Sequence, residues 1–245
     1  MSNTLIIIPS RMSAKRLPGK PLLKINGKSI ISQVLKKAKN CNIGNVFVAT
    51  EDMEIIDEIK KHKGNAILTS RKPKSGTDRI WEAFKKIKNK KIKYIINLQG
   101  DEPLIDIKDI RNLNKIVTKN KIDIGTLAIK INNKKKYLNK NIVKVVTKKK
   151  INSKNFARAT NFYRNSNISY KNIYHHIGIY QYSVSILEKF CKLKRTKNEI
   201  KNNLEQLRAL DNNLPISVIL ARKKVIGIDT KQDYMELKKI MKYKS

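Results

Sequence analysis

The sequence predicts an α/β fold, a mostly parallel sheet covered by helices. Three observations carry that expectation. Through the first hundred residues, short apolar runs alternate with amphipathic segments. The short runs are nearly continuously apolar, as strands buried on both faces must be. The segments between them repeat apolar residues at helical spacing.

The elements follow in order. Residues 4–8 (TLIII) read as a buried strand, stopped by Pro9, which has no N–H to give a sheet. Residues 29–39 read as a helix, with Ser29 as its N-cap and Ile30, Ile31, Val34, Leu35 and Ala38 on one face. A strand at 46–49, a helix at 54–61 and a short strand at 66–68 come next. The helix predicted at 77–87 gathers Ile80, Ala83, Phe84 and Ile87, and 94–98 is another buried strand. The second half is less regular. It offers strands at 125–131, 143–147, 177–182, 216–220 and 225–227, helices at 184–190 and 205–210, and a closing helix at 231–243 behind Thr230 as N-cap. Residues 130–182 read as a small sheet-rich lobe within one domain spanning 1–245. Neither an internal repeat nor a Gly/Ser-rich linker interrupts the chain.

The charge requires an explanation. Fifty-five Lys and Arg face nineteen Asp and Glu, a formal net charge of +36. Such a balance points to a nucleic-acid binder if it is focused on one face. Here the basic residues are mostly Lys, spread from end to end among abundant Asn and Ile, the residues with AT-rich codons. Drift in an AT-rich genome explains that pattern. Aromatic residues are 6 % of the chain and do not interleave with the basic ones, so a stacking groove is not expected. Loose, salt-sensitive association with RNA is expected instead. The Lys/Asn-rich patches at 132–136, 148–154 and 197–203 read as solvated surface.

Cys41 and Cys191 lie far apart without a C-x-x-C pattern and read as reduced thiols. His62, His175 and His176 are too few for a histidine-rich metal site. The apolar runs are too short to span a membrane, and the N-terminus lacks signal-peptide features, so a cytoplasmic protein is expected.

Two loops carry the chemistry, because parallel sheets bind ligands beyond the carboxyl ends of their strands. The first, PSRMSAKRLPGKPL (9–22), presents Arg11, Lys15, Arg16 and Lys20 around a Pro-Gly turn. Arginines bind phosphate oxygens bidentately and a lysine acts as a mobile point charge. It is neither a P-loop nor a G-x-G-x-x-G turn, and a solvated basic loop is the competing reading. The second, LQGDEP (98–103), places Asp101 and Glu102 after a buried strand. A carboxylate there suits Mg²⁺, a hard cation that shares its shell with substrate phosphates. The alternative is that these acids cap the next helix. Together the two loops favour a magnesium–nucleotide site. SGTDR (75–79), FARAT (156–160), HIGIYQY (176–182) and EQLR (205–208) also stand out, none decisive alone.

Taken together, PSRMSAKRLPGKPL, VATED, SGTDRIWEA, INLQGDEPLI, RAT, HIGIYQY, EQLR and GIDTKQDY resemble the 3-deoxy-manno-octulosonate (Kdo) cytidylyltransferases, the CMP-Kdo synthetases, over residues 5–237. The first loop is shared with sialic acid cytidylyltransferases. QGDEP with HIGIYQY and EQLR is more specific. The resemblance implies a Rossmann-like nucleotidyltransferase fold, a homodimer formed through the small lobe, CTP and Kdo as substrates, Mg²⁺ as cofactor, and a product destined for the lipopolysaccharide inner core. It assigns the CTP phosphates to Arg11, Arg16 and Lys20, and places Ser75 and Thr77 beside the nucleotide. Asp101 and Asp229 take the metal, and Arg11, Lys20 and Asp101 form the catalytic set. Gln99, Arg158, His176, Tyr180 and Glu205 surround the sugar acid, with Arg158 near its carboxylate. The chain departs from the family pattern twice. NFYR (161–164) lacks the usual proline and is one residue shorter, which weakens a role for Arg164. GIYQY replaces GIYGY, which requires Gln181 to face solvent. An 8-amino analogue of Kdo, sialic acid, a nucleic-acid-binding derivative of the fold and an inactive descendant are the competing readings.

Overall fold

The strand β1 (Thr4–Pro9) forms where the sequence places it, because Leu5, Ile6, Ile7 and Ile8 are all buried to within 1 % exposure. The computed structural model describes residues 2–14, 16–132, 137–164, 171–223 and 227–242. They fall into two compact units, Met1–Arg111 with Val225–Ser245, and Asn112–Lys224.

In the first unit β1 pairs in parallel with β4 (Val46–Thr50) on one side and β6 (Tyr94–Asn97) on the other, and β5 (Asn65–Leu68) extends β4. The order β5-β4-β1-β6 is all parallel. Helices supply the crossovers. α1 (Ile30–Asn40) buries the five apolar residues its spacing promised, and Ser29 caps it by accepting from the Ser32 N–H at 3.2 Å. α2 (Met53–Lys61) buries Ile55, Ile56 and Ile59. α3 (Gly76–Ile87) starts at Ser75, whose hydroxyl accepts from the Asp78 N–H at 3.1 Å. A hairpin of β2 (Lys24–Ile25) and β3 (Lys28–Ser29) turns on Asn26 and Gly27, both with positive φ, the conformation an Asn-Gly hairpin turn requires. α4 (Ile107–Lys119) buries Ile110, Leu113 and Val117, and the boundary between the units falls within it.

The second unit is mostly antiparallel. β7 (Ile124–Lys130) pairs in parallel only with β11 (Ile216–Leu220). β10 (Ile173–Ser183) runs antiparallel to both β7 and β8 (Lys144–Thr147), and β9 (Phe156–Tyr163) runs antiparallel to β11 and β8. Because β8 pairs with both β9 and the start of β10, the five strands close into a ring. Among the described residues each of the five strands is therefore paired on both sides. α5 (Val184–Lys192), α6 (Lys197–Asn202) and α7 (Leu207–Asp211) follow β10.

One expectation changes. Glu205 is not helical: α7 begins at Leu207, and Glu205 lies in a turn whose carbonyl accepts from the Arg208 N–H at 3.1 Å. A tight i+3 turn carries the same apolar spacing as a first helical turn, so periodicity cannot separate them. β9 escapes the sequence reading because its inward residues are small alanines, Ala157 and Ala159, between exposed Phe156, Arg158 and Thr160. The strand expected at 225–227 falls largely outside the described residues, and Gly227 is not in a strand.

The closing helix α8 (Lys231–Lys242) returns to the first unit. Thr230 and Asp233 cap it reciprocally, each side chain accepting from the other's backbone N–H, at 3.2 and 2.8 Å. Its Leu237 joins Ile25, Ile30 and Ile228 in a small buried cluster roofed by Leu17, Leu23, Leu104, Tyr234 and Met241. Each such side chain contributes about 1.5–3 kcal/mol of burial.

Candidate functional site

The sheet pairing of the first unit runs past the strand ends: the Ser10 N–H donates to the Ala49 carbonyl at 2.9 Å and the Leu98 N–H to the Ile7 carbonyl at 3.1 Å. Pro9 lies inside this pairing and does not end it, contrary to the sequence expectation, because the N–H that Pro9 lacks is not needed for its register with Ala49. Two glycines close on that proline. A Cβ on Gly76 would stand 3.4 Å from Pro9 Cγ, and one on Gly100 only 3.1 Å from the Pro9 carbonyl. The N-terminus of α3 and the loop after β6 thus meet at the carboxyl end of β1, where both sequence-predicted loops begin.

The basic loop is ordered from within. The Met12 N–H donates to Asp52 Oδ2 at 2.7 Å, and the Met12 carbonyl accepts from the N–H groups of Ala14 and Gly19. Gly19 takes a left-handed φ of 69°, which turns the chain into a short 3₁₀ turn at Lys20–Leu22. That delivers the Lys20 ammonium to a cluster of acids. Lys20 Nζ lies 2.5 Å from Asp101 Oδ2, 3.6 Å from Asp229 Oδ1 and 2.6 Å from the Ile228 carbonyl. Arg16 Nη2 lies 2.9 Å from Asp229 Oδ2 with both side chains more than half exposed, and Arg11 is exposed. Asp229 reaches Asp101 across a long stretch of sequence because Ile228 is buried in the apolar cluster and its N–H donates to the Asp101 carbonyl at 3.1 Å.

Asp101 does not cap the next helix. That role falls to Asp106, whose Oδ1 accepts from the Lys108 N–H at 2.8 Å. Asp101 and Asp229 are the pair able to hold a divalent cation. Beside them Glu102 is buried, its Oε2 without a hydrogen-bond partner among the described residues, and burial, then the charges of Asp101 and Asp229, push its pKa up to about 8. The hard oxygen donors of Asp101 and Asp229 fit a small divalent cation. No group of three or more His, Cys, Asp or Glu poised for a metal occurs among the described residues. Two carboxylates suffice for a magnesium that completes its shell with phosphate oxygens and water. Gln99 donates to Asn97 Oδ1 at 3.2 Å, Ser75 is engaged as the α3 cap, and Thr77 is buried in its first turn.

Sequence reasoning passed over the support beneath these loops. Arg79 is buried, donating to Glu51 Oε2 at 2.6 Å and to Thr69 Oγ1 at 2.5 Å. Glu51 and Asp52 sit directly after β4, so the signal was their position at the carboxyl edge, shared with the two loops already singled out.

The second unit holds Arg158, His176, Tyr180 and Glu205. Arg158 is exposed on β9, opposite Ser217 of β11. His176 and Tyr180 both lie on β10. The register against β7 skips two residues between Ile177 and Tyr180, and an even skip keeps both rings on one face. Thr126 pins this irregularity, its hydroxyl standing 3.0 Å from His176 Nε2 and 2.7 Å from the Ile179 carbonyl. An aromatic row results: Phe162 meets His176 edge-on, His176 meets Tyr180, Tyr180 stacks on Tyr182, and Tyr182 meets Phe190. Burial, then His175 and Arg164, bring the His176 pKa down to about 3, so its ring is neutral. Burial, then Tyr182 and Glu205, hold the Tyr180 phenol well above its usual range.

Arg164 donates from Nη1 to the Asn141 carbonyl at 3.2 Å, and its own carbonyl accepts from the fully buried Lys144 ammonium at 2.7 Å. The expectation for Gln181 is overturned. Gln181 is fully buried, and its amide donates to Asn114 Oδ1 on α4 at 2.9 Å. Strand alternation dictates this: with Tyr180 on one face, Gln181 must point to the other, and in this strand both faces are covered.

A family model described as cytidylyltransferase matches residues 5–225. The 3-deoxy-manno-octulosonate cytidylyltransferase of Afipia carboxidovorans is 39 % identical over 98 % of this chain and 97 % of its own. That of Thermodesulfovibrio yellowstonii is 41 % identical over 94 % of each. Among solved structures, a CMP:2-keto-3-deoxy-manno-octonic acid synthetase complexed with CTP superposes with a TM-score of 0.89 at 30 % identity, covering all of both chains. A UDP-glucose pyrophosphorylase complexed with UDP-glucose superposes at 0.73 with 14 % identity over all of both chains, a likeness of fold alone.

Proposed function

The chain belongs to the cytidylyltransferase family, and from that premise we propose that it transfers CMP from CTP to the anomeric hydroxyl of 3-deoxy-D-manno-octulosonate, releasing pyrophosphate. Relatives at 36–41 % identity over nearly the whole chain carry that name, which supports Kdo over other sugar acids. The observation that carries the chemistry is the Lys20 ammonium set between Asp101 and Asp229 at the carboxyl end of β1.

In the reaction the anomeric oxygen of the sugar acid forms a bond to the α-phosphorus and the bond to pyrophosphate breaks. Such a transfer needs positioning and charge neutralisation more than a protein nucleophile. Arg11, Arg16 and Lys20 neutralise the triphosphate and the departing pyrophosphate. Ser75 and Thr77 border the nucleotide at the start of α3. Asp101 and Asp229 would hold Mg²⁺, which would neutralise phosphate charge and lower the pKa of the attacking hydroxyl. Gln99, Arg158, His176, Tyr180 and Glu205 receive the sugar acid. Arg158 pairs with its carboxylate, and neutral His176 and Tyr180 offer a desolvated wall. Arg164, tied to the Asn141 carbonyl, stands outside this set.

We place the enzyme in the cytoplasm, where CTP is made, and as a homodimer formed through the sheet-rich segment at 130–182. Among the described residues no helix is long and apolar enough to cross a membrane.

Pyrophosphate release from CTP and Mg²⁺ tests the assignment, run in parallel with Kdo, 8-amino-Kdo, sialic acid and no acceptor. Release with Kdo is expected. Release only with another acid would keep the reaction and move the sugar. No release with any of them would overturn the proposal.

A further inference from the structure

EQLR contributes more to the second unit than Glu205. Arg208, its last residue, is 3 % exposed, a position a guanidinium occupies only when its charge is met. Glu199 meets it with both oxygens: Arg208 Nε lies 2.8 Å from Oε2 and Nη2 lies 2.7 Å from Oε1. Arg195 Nε adds a second cation to Glu199 at 3.0 Å. The same Arg208 Nη2 stands 3.7 Å from Glu205 Oε1. The guanidinium lies over the Phe190 ring, with Cζ 4.7 Å from its centroid.

Phe190 is the end of the aromatic row that runs through Tyr182 to Tyr180 and His176. Arg208 therefore touches two lines that lead to the sugar-acid residues, one through the Glu205 carboxylate and one through the rings. Glu205 and Tyr180 sense each other as well, since the Glu205 charge is among the causes that raise the Tyr180 phenol. A lysine of equal charge lacks the planar fork and the face that stacks on an aromatic ring.

We propose that Arg208 is a positioning residue, its guanidinium held by Glu199 so that one buried group fixes both Glu205 and the Tyr180–Tyr182 stack in the geometry that receives the sugar acid. This rests on the Kdo-transfer reading above.

The test is steady-state kinetics of Arg208→Lys and of Phe190→Leu beside the wild type, varying Kdo and CTP separately, with a melting curve for each. For Arg208→Lys the KM for Kdo is expected to rise roughly tenfold while the KM for CTP stays within twofold, since small misplacement of positioning groups is costly. Phe190→Leu keeps the ion pairs and loses the ring contact, and a smaller rise confined to Kdo is expected. Should Arg208→Lys fail to fold, the Phe190→Leu shift decides. A lowered melting temperature with both KM values unchanged in the folded variants would make Arg208 structural only and overturn the inference. A wild type that turns over CTP with no sugar acid would overturn the functional reading, and this inference with it.

Discussion

Lys20 donates to Asp101 and to the Ile228 carbonyl. A triphosphate that recruits this ammonium must therefore bring positive charge for the carboxylates it leaves. Under the proposed assignment, nucleotide and metal binding would be coupled at this one side chain. Asp101→Asn is expected to lower turnover about a hundredfold or more without weakening metal-free CTP binding. Calorimetry with and without Mg²⁺, beside the pyrophosphate assay, checks both halves, and near wild-type turnover would remove Asp101 from the metal site. His176 gives a pH prediction. Its pKa is depressed from 6.5 to about 3 in the folded protein, so the unfolded chain binds the proton more readily. The stability it contributes is present above pH 6.5 and is lost as pH falls toward 3, up to tenfold in the unfolding constant per pH unit. Denaturant melts between pH 7 and 5 should be shallower in pH for His176→Gln, and equal slopes would count against a buried neutral ring.

The parallel strands of the first unit and helices α1, α2, α3 and α8 were legible because the strands are short apolar runs and the helices show a clean stripe, whereas the β2–β3 hairpin and α4 went unread. Ser29 and Thr230 even announce their caps. β9, the turn at Glu205 and the closed ring were not legible. Alanines carry little hydrophobic signal, and pairing between distant strands leaves no local trace. The basic and acidic loops were visible as charge at the end of a strand, whereas the meeting of Asp229 with Asp101 depends on the packing of Ile228 and Leu237, which no spacing encodes. Gln181 shows what pattern resemblance misses. The family's glycine is replaced by a side chain that fills space under α4 and bonds Asn114. Gln181→Gly is expected to destabilise the protein by about 2 kcal/mol through the cavity and the added backbone freedom. A denaturant midpoint equal to the wild type would show that the space closes without cost.

Across the whole molecule, 55 cations face 19 anions. The ion pairs that shape the sites use few of them, and the remaining lysines repel one another. Raising salt from tens to hundreds of millimolar should raise the melting temperature by screening that repulsion. Binding to RNA should vanish over the same range, with no sequence preference. A melting temperature that falls with salt would mean that attractive pairs dominate. The chain's path has a consequence of another kind. The first unit is interrupted: the chain leaves it at Arg111, builds the second unit and returns at Val225. A ribosome therefore makes every described strand before it supplies Ile228 and Leu237, the residues that complete the cover over Ile25 and Ile30. The basic loop is among the first segments synthesised, yet its acidic counterpart is finished among the last. Under the proposed assignment, the metal site is thus completed late in the life of each nascent chain.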